Sequence, residues 1–182
     1  LAANGFRTAA FTDGGFVSGS YGFSQGFEIY ADQRNPEGPN GFARLLPDAL
    51  DWMSEHDDED YFVFVHTFDV HAPYDEGDED VIEEFRSHGV EPGPIDHRLH
   101  WMNYFHQQQK MGMSSYGRFS ELFNDYDAGV FEADRGVGEL LDALAEAGRL
   151  DNALIIVTSD HGEAMLERGL HIGHGINLTN DE

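Results

Sequence analysis

Three short segments carry side chains whose types and spacing could hold a cation or move a proton. In Val157-Thr158-Ser159-Asp160-His161-Gly162-Glu163 an apolar run ends and an Asp-His pair follows at once. A carboxylate oxygen and an imidazole nitrogen together suit a divalent cation, and Gly162 lets the chain turn sharply behind them. A strand-end turn with a capping Asp would read the same way. In Val65-His66-Thr67-Phe68-Asp69-Val70-His71-Ala72-Pro73-Tyr74, Pro73 stiffens the exit and restricts Ala72 to an extended conformation. His71 is thereby presented by a rigid segment, where an imidazole could hydrogen-bond an oxyanion or transfer a proton near neutral pH. A structural histidine remains the alternative there. The third segment is His171-Ile172-Gly173-His174-Gly175. Its glycines permit close backbone approach to a ligand, as a plain Gly-rich loop would also do.

Such groups need elements to position them. Thr8 to Thr12 reads as a strand ending at the Asp13-Gly14-Gly15 turn signal, and Tyr61 to Phe68 as a second, aromatic and β-branched. Ala153 to Thr158 is a continuous apolar run, the pattern of a strand buried on both faces. Between them, Phe42 to His56 places Phe42, Leu45, Leu46, Ala49, Trp52 and Met53 on one helix face. A longer helix is expected from about Ser115 to Ala147, with Gly148 as its C-cap and glycines 129, 136 and 138 marking a kink or a close approach. Strand, helix, strand, long helix, strand is the grammar of an α/β protein with a largely parallel sheet flanked by helices. Ligands of such sheets bind outside the carboxyl ends of the strands, where the first two segments begin. Residues 75–117 break the grammar and read as a loop-rich excursion; with Trp101, Tyr104, His88, His97, His100 and His106 it could form a substrate wall or a surface loop.

Composition narrows the classes. The chain has 182 residues and a formal net charge of -25, with 40% hydrophobic residues. That apolar content supports a real core and excludes a disordered acidic tail. A nucleic-acid partner is excluded by the lack of clustered cations, since Lys110 is the single lysine. No apolar run reaches the roughly 18 to 20 residues that span a bilayer. There are no cysteines, which excludes disulfides and thiolate metal sites within the chain. Acid excess with almost no lysine is expected either of a salt-loving source or of an ordinary acidic extracellular protein. The acidic runs at 57–60 and 76–80 lack EF-hand spacing and read as solvated loops. Asn177-Leu178-Thr179 fits a glycosylation sequon, a triplet common by chance. The chain opens at Leu1 within a patterned segment and stops at Glu182; both ends read as internal to a longer polypeptide.

In order, these segments resemble the sulfatase family of the alkaline phosphatase superfamily. The run from Tyr126 to Gly175 resembles it closely, the segment from Phe64 to Tyr74 resembles the family's strand carrying a substrate-binding His before Pro, and the opening from Asn4 to Tyr30 resembles the segment downstream of the family's nucleophile. The resemblance covers most of residues 1–182 apart from 75–117. It implies a partial catalytic domain with the alkaline-phosphatase-like α/β fold and hydrolysis of sulfuric esters. It further implies a divalent metal, calcium first with manganese or zinc as alternatives, and a formylglycine nucleophile made within a Cys/Ser-x-Pro-Ser-Arg motif. On this resemblance Asp160 and His161 are metal ligands, His71 contacts the sulfate group, and His174 supports the substrate or leaving group. The substrate partner would be a sulfate or phosphate ester. Relatives are often secreted or periplasmic; the sequence itself fixes no compartment.

The sequence also departs from the family. It contains no Ser followed by x-Pro-Ser-Arg and no Cys, and the Asp57-Asp58 pair precedes a strand where the family's metal-binding Asp pair follows one. The chain alone is therefore expected to be inactive. Asp-His, where relatives also carry Asp-Asn, occurs in phosphonate and phosphodiester hydrolases of the superfamily. That keeps a phosphoryl-transfer reading open, with a degenerate non-enzymatic domain as a third.

Overall fold

The computed structural model describes residues 1–32, 41–72, 74, 78–88, 119–165 and 172–173. The chain divides into two compact units, one built from Leu1–Val70 with Gly129–Asn152 and the other from His71–Ala128 with Ala153–Glu182.

The first unit is organised on a three-stranded parallel sheet of order β2-β1-β3, with β1 at Arg7–Thr12, β2 at Ile29–Ala31 and β3 at Tyr61–His66. Ala9 lies opposite both Ile29 and Val63, which sets one register across the sheet. Helix α1, Phe42–Glu55, lies between β2 and β3 in sequence and buries the six residues its periodicity singles out, Phe42, Leu45, Leu46, Ala49, Trp52 and Met53. The small side chain of Ala9 leaves room for them, so Ala9, Phe11, Leu45, Ala49, Trp52, Met53 and Leu144 form one core. Tyr61, Val63 and Val65 pack on that core. Phe62 and Phe64 alternate to the other side, where the Phe27 ring meets both.

Helix α3 runs from Phe119 to Glu146, with α2 at Glu79–His88. Its end is a Schellman motif: Gly148 takes φ 68°, its N–H donates to Ala145 O, and the Arg149 N–H donates to Leu144 O. The helix glycines differ in purpose. A Cβ at Gly129 would sit 2.5 Å from the Asp69 carbonyl oxygen and one at Gly136 2.6 Å from the Phe42 ring, whereas Gly138 faces nothing within 4 Å. Two of the three thus mark close approaches.

In the second unit, α2 and the first turns of α3 are joined by a bidentate ion pair. Arg86 Nε and Nη2 donate to the two oxygens of fully buried Asp125 at 2.7 and 2.6 Å. A short antiparallel pair, β4 at Ala164–Met165 and β5 at Ile172–Gly173, follows the Asp-His segment.

One expectation from sequence requires correction. Ala153 to Thr158 is not a strand: it has no ladder partner among the described residues, and Leu154, Ile156 and Val157 are 86%, 76% and 70% exposed. Apolar, β-branched composition makes a strand only where a neighbouring strand accepts its backbone hydrogen bonds. Helix α2 falls within the loop-rich excursion expected at about 75–117. The excursion's 75–77 and 89–117 portions lie outside the described residues. Among the described residues no helix is long and apolar enough to cross a membrane.

The helix glycines yield a paired prediction. Gly136→Ala pushes a methyl into the Phe42 ring and is expected to lower unfolding stability by about 1–3 kcal/mol. Gly138→Ala meets open space and is expected to raise it by roughly 0.5–1 kcal/mol through helix propensity. Urea unfolding of the two variants beside the parent checks both signs.

Candidate functional site

The carboxyl ends of the three parallel strands each pass into a segment bearing an aspartate. After β1, Asp13 is 1% exposed. Its Oδ1 accepts from Arg44 Nη2 at 3.0 Å and its Oδ2 from the Phe68 N–H at 3.1 Å. Arg44 Nη2 also donates to Thr12 O at 2.9 Å. A carboxylate so deeply buried is tolerated because both oxygens are paired, one of them with a cation. After β2, Asp32 Oδ2 accepts from the Ser18 hydroxyl and the Gly19 N–H, each at 2.7 Å, which ties down the loop following β1. These two bonds hold the Asp32 carboxyl below the usual carboxylate range, Ser18 contributing most.

After β3, Asp69 takes the place of a capping side chain for α1. The N-cap residue is Gly41, and the Asp69 Oδ2 accepts the Phe42 N–H at 2.9 Å. Any side chain at Gly41 would occupy the Asp69 carboxylate position. The Asp69 N–H donates to the Thr67 hydroxyl at 3.1 Å, and the Asp69 carbonyl meets α3 at Gly129. Burial pushes the Asp69 carboxyl up, the bonds to the Phe42 N–H and Thr67 oppose this, and the nearby Asp13 carboxylate adds to the rise. Two polar atoms of this region, Arg44 Nε and His66 Nδ1, are buried with no partner among the described residues.

The second unit carries the candidate histidines His71 and His161. His71 Nδ1 lies 2.6 Å from Ala72 O, and His161 Nδ1 lies 3.0 Å from Gly162 O. A carbonyl only accepts, so Nδ1 carries the proton in each ring and Nε2 carries the lone pair of the neutral form. His161 Nε2 is 3.7 Å from Asp160 Oδ1, and the same oxygen accepts the His161 N–H at 3.1 Å. One oxygen and one nitrogen at that separation fit a single cation with bonds of about 2.0–2.6 Å. The donors number two: among the described residues no group of three or more His, Cys, Asp or Glu could hold a metal.

The structure joins the His71 and Asp160-His161 segments through residues that the sequence reading passed over. The Tyr74 hydroxyl donates to Glu163 Oε2 at 2.8 Å. Tyr74 directly follows Pro73 and Glu163 follows Gly162, so the aromatic after Pro and the acid after Gly were the available signals. His171 and His174 lie outside the described residues. Asp13, Asp69, Tyr74 and Glu163 are the residues that the geometry adds.

The first unit's parallel sheet, with an aspartate in the segment after each strand, defines a parallel α/β fold. The sulfatase family model matches residues 1–181, and the chain belongs to that family. It is similar to an N-acetylglucosamine-6-O-sulfatase of Bacteroides thetaiotaomicron, with 38% identity over 52 residues, 29% of this chain and 9% of that protein. It is also similar to a choline-sulfatase of Rhizobium meliloti, with 47% identity over 45 residues, 25% of this chain and 9% of that protein. Among solved structures it shares its fold with the lipoteichoic acid synthase LtaP from Listeria monocytogenes, at TM-score 0.52 and 17% identity, covering 98% of this chain and 40% of that one. The aligned stretches thus span about a tenth of those two sulfatases.

The raised Asp69 carboxyl has a defined sign. A carboxyl that binds its proton more tightly in the folded state contributes stability that is full below the ordinary aspartate range and is lost as pH rises through the raised value. Asp69→Asn keeps an acceptor for the Phe42 N–H and does not titrate. Its stability relative to the parent is expected to climb as pH rises above the ordinary aspartate range. Asp69→Ala leaves that N–H without its acceptor and is expected to cost about 0.5–2 kcal/mol at every pH. Urea unfolding across this pH range separates the two.

Proposed function

We propose that this chain supplies metal donors and substrate contacts to a sulfuric ester hydrolase. The observation that carries the reading is the Asp160 Oδ1–His161 Nε2 pair, 3.7 Å apart on a loop tied to the His71 segment, in a chain of the sulfatase family. Asp160 and His161 would hold two positions of a divalent cation. Calcium is proposed first on family grounds; manganese and zinc are the alternatives that an imidazole donor favours. When bound, such a cation would draw off charge from the ester oxygens.

The remaining roles belong to this chain's own side chains. His71, its Nδ1 proton committed to Ala72 O, would present Nε2 to a sulfate oxygen. As an imidazolium it would donate a hydrogen bond where negative charge grows during S–O cleavage. His174 is proposed, from the family resemblance alone, to support the substrate or the leaving group. The nucleophile is proposed to be a formylglycine within a Cys/Ser-x-Pro-Ser-Arg motif elsewhere in the full-length protein, because this sequence contains no such motif. A phosphonate or phosphodiester hydrolase, or a phosphoryl-transfer enzyme, is the second reading. It is favoured by His161 standing beside Asp160.

Steady-state assays of the full-length protein against an aryl sulfate, an aryl phosphodiester and an aryl phosphonate test the proposal. Sulfate ester turnover with the highest kcat/KM is expected, falling about a hundredfold or more in Asp160→Asn. Preference for a phosphorus ester would move the assignment to the second reading. Unchanged function in Asp160→Asn would leave a non-enzymatic domain. The 182-residue chain by itself is expected to turn over none of the three.

A further inference from the structure

We infer that Tyr74 and Glu163 are a positioning pair, through which the Asp160-His161 donors are held in register with the His71 segment; this rests on the metal-dependent reading above. Three bonds within 158–162 are local. Thr158 Oγ1 donates to Ser159 O, the His161 N–H to Asp160 Oδ1, and His161 Nδ1 to Gly162 O. They shape the turn without anchoring it to another part of the unit. The Tyr74–Glu163 bond, 2.8 Å long, reaches across 89 residues of sequence.

Its donor is rigidly placed. Tyr74 is 3% exposed, and a buried tyrosyl hydroxyl needs an acceptor. The ring stands edge-on to Tyr126 at 5.6 Å and 90°. Tyr126 follows Asp125, whose carboxylate is clamped to α2 by both Arg86 bonds. A continuous chain of fixed contacts therefore runs from α2 through the start of α3 to Tyr74, and ends on the residue after Gly162. Glu163 receives the Tyr74 hydroxyl on Oε2. In this inference its carboxylate acts through Tyr74 and leaves coordination to Asp160 and His161.

The test is calorimetric titration of the full-length protein with Ca²⁺, repeated with Mn²⁺, for the parent, Tyr74→Phe, Glu163→Ala, Glu163→Gln and the Tyr74→Phe/Glu163→Ala double variant. Tyr74→Phe keeps the ring on Tyr126 and deletes only the hydroxyl. It and Glu163→Ala are each expected to weaken metal binding about 10–100-fold. The double variant should lose no more than either single, because both remove one interaction. Glu163→Gln keeps an acceptor for the hydroxyl and is expected to retain most of the affinity. Parent-like affinity in Tyr74→Phe would overturn the inference and leave the hydrolase reading standing. A loss in Glu163→Gln as deep as in Glu163→Ala, with Tyr74→Phe silent, would make Glu163 itself a ligand and also overturn it. A parent that binds neither cation would sink the metal-dependent reading, and this inference with it.

Discussion

Two carboxylates, Asp13 buried and Asp69 half-buried, govern how the chain leaves the sheet. Asp13, at the end of β1, accepts the Phe68 N–H just beyond β3 and is neutralised by Arg44 of α1. Asp69 caps the start of α1 through the Phe42 N–H. Each bond joins elements distant in sequence, so β1, β3 and α1 are locked at the edge where α/β sheets present their ligands. The constraint reaches into residue choice. Gly41 must lack a side chain because the Asp69 carboxylate fills that space, and Gly129 because the Asp69 carbonyl does. An ionised carboxylate out of water is costly unless paired, and the pairing is what makes the exit of β3 rigid. His71 follows that exit by two residues.

The second unit solves a different problem with the same means. Its Asp-His segment follows an exposed apolar run with no ladder partner among the described residues and precedes the short β4–β5 pair. Side chains tie it to the rest of the unit. Buried Asp125 with Arg86, the crossed rings of Tyr126 and Tyr74, and the Tyr74–Glu163 bond link α2 to the loop. Within that loop, His161 Nδ1 is committed to a backbone carbonyl, which sets the tautomer that a metal ligand needs.

Much of this was legible in the sequence where a residue's role depends on near neighbours. The buried face of α1, the Gly148 cap, β1 and β3 are all local patterns of period or turn. What escaped depends on distant partners. β2 is three residues long and exists through its pairing with Ala9, Ala10 and Phe11. Asp69 reads as an ordinary loop acid until α1 is placed beside it, and Tyr74 and Glu163 carry no periodic signal. The run at 153–158 failed in the opposite direction: its composition states a preference for strand that no described neighbour satisfies. Family resemblance supplied the chemistry of His71 and His174, which spacing alone left open.

The central claim, that the hydrogen-bonded carboxylates of Asp13 and Asp69 fix the exit of β3, is tested most directly by native-state amide hydrogen exchange at Phe42 and Phe68. Both N–H groups sit outside a helix or strand ladder and donate to Asp69 and Asp13 respectively. The account predicts that they exchange as slowly as the β1 core amides, through global unfolding. It also predicts that Asp69→Ala releases Phe42 while Phe68 stays protected. Exchange of both amides at the rate of an exposed loop in the parent protein would contradict it.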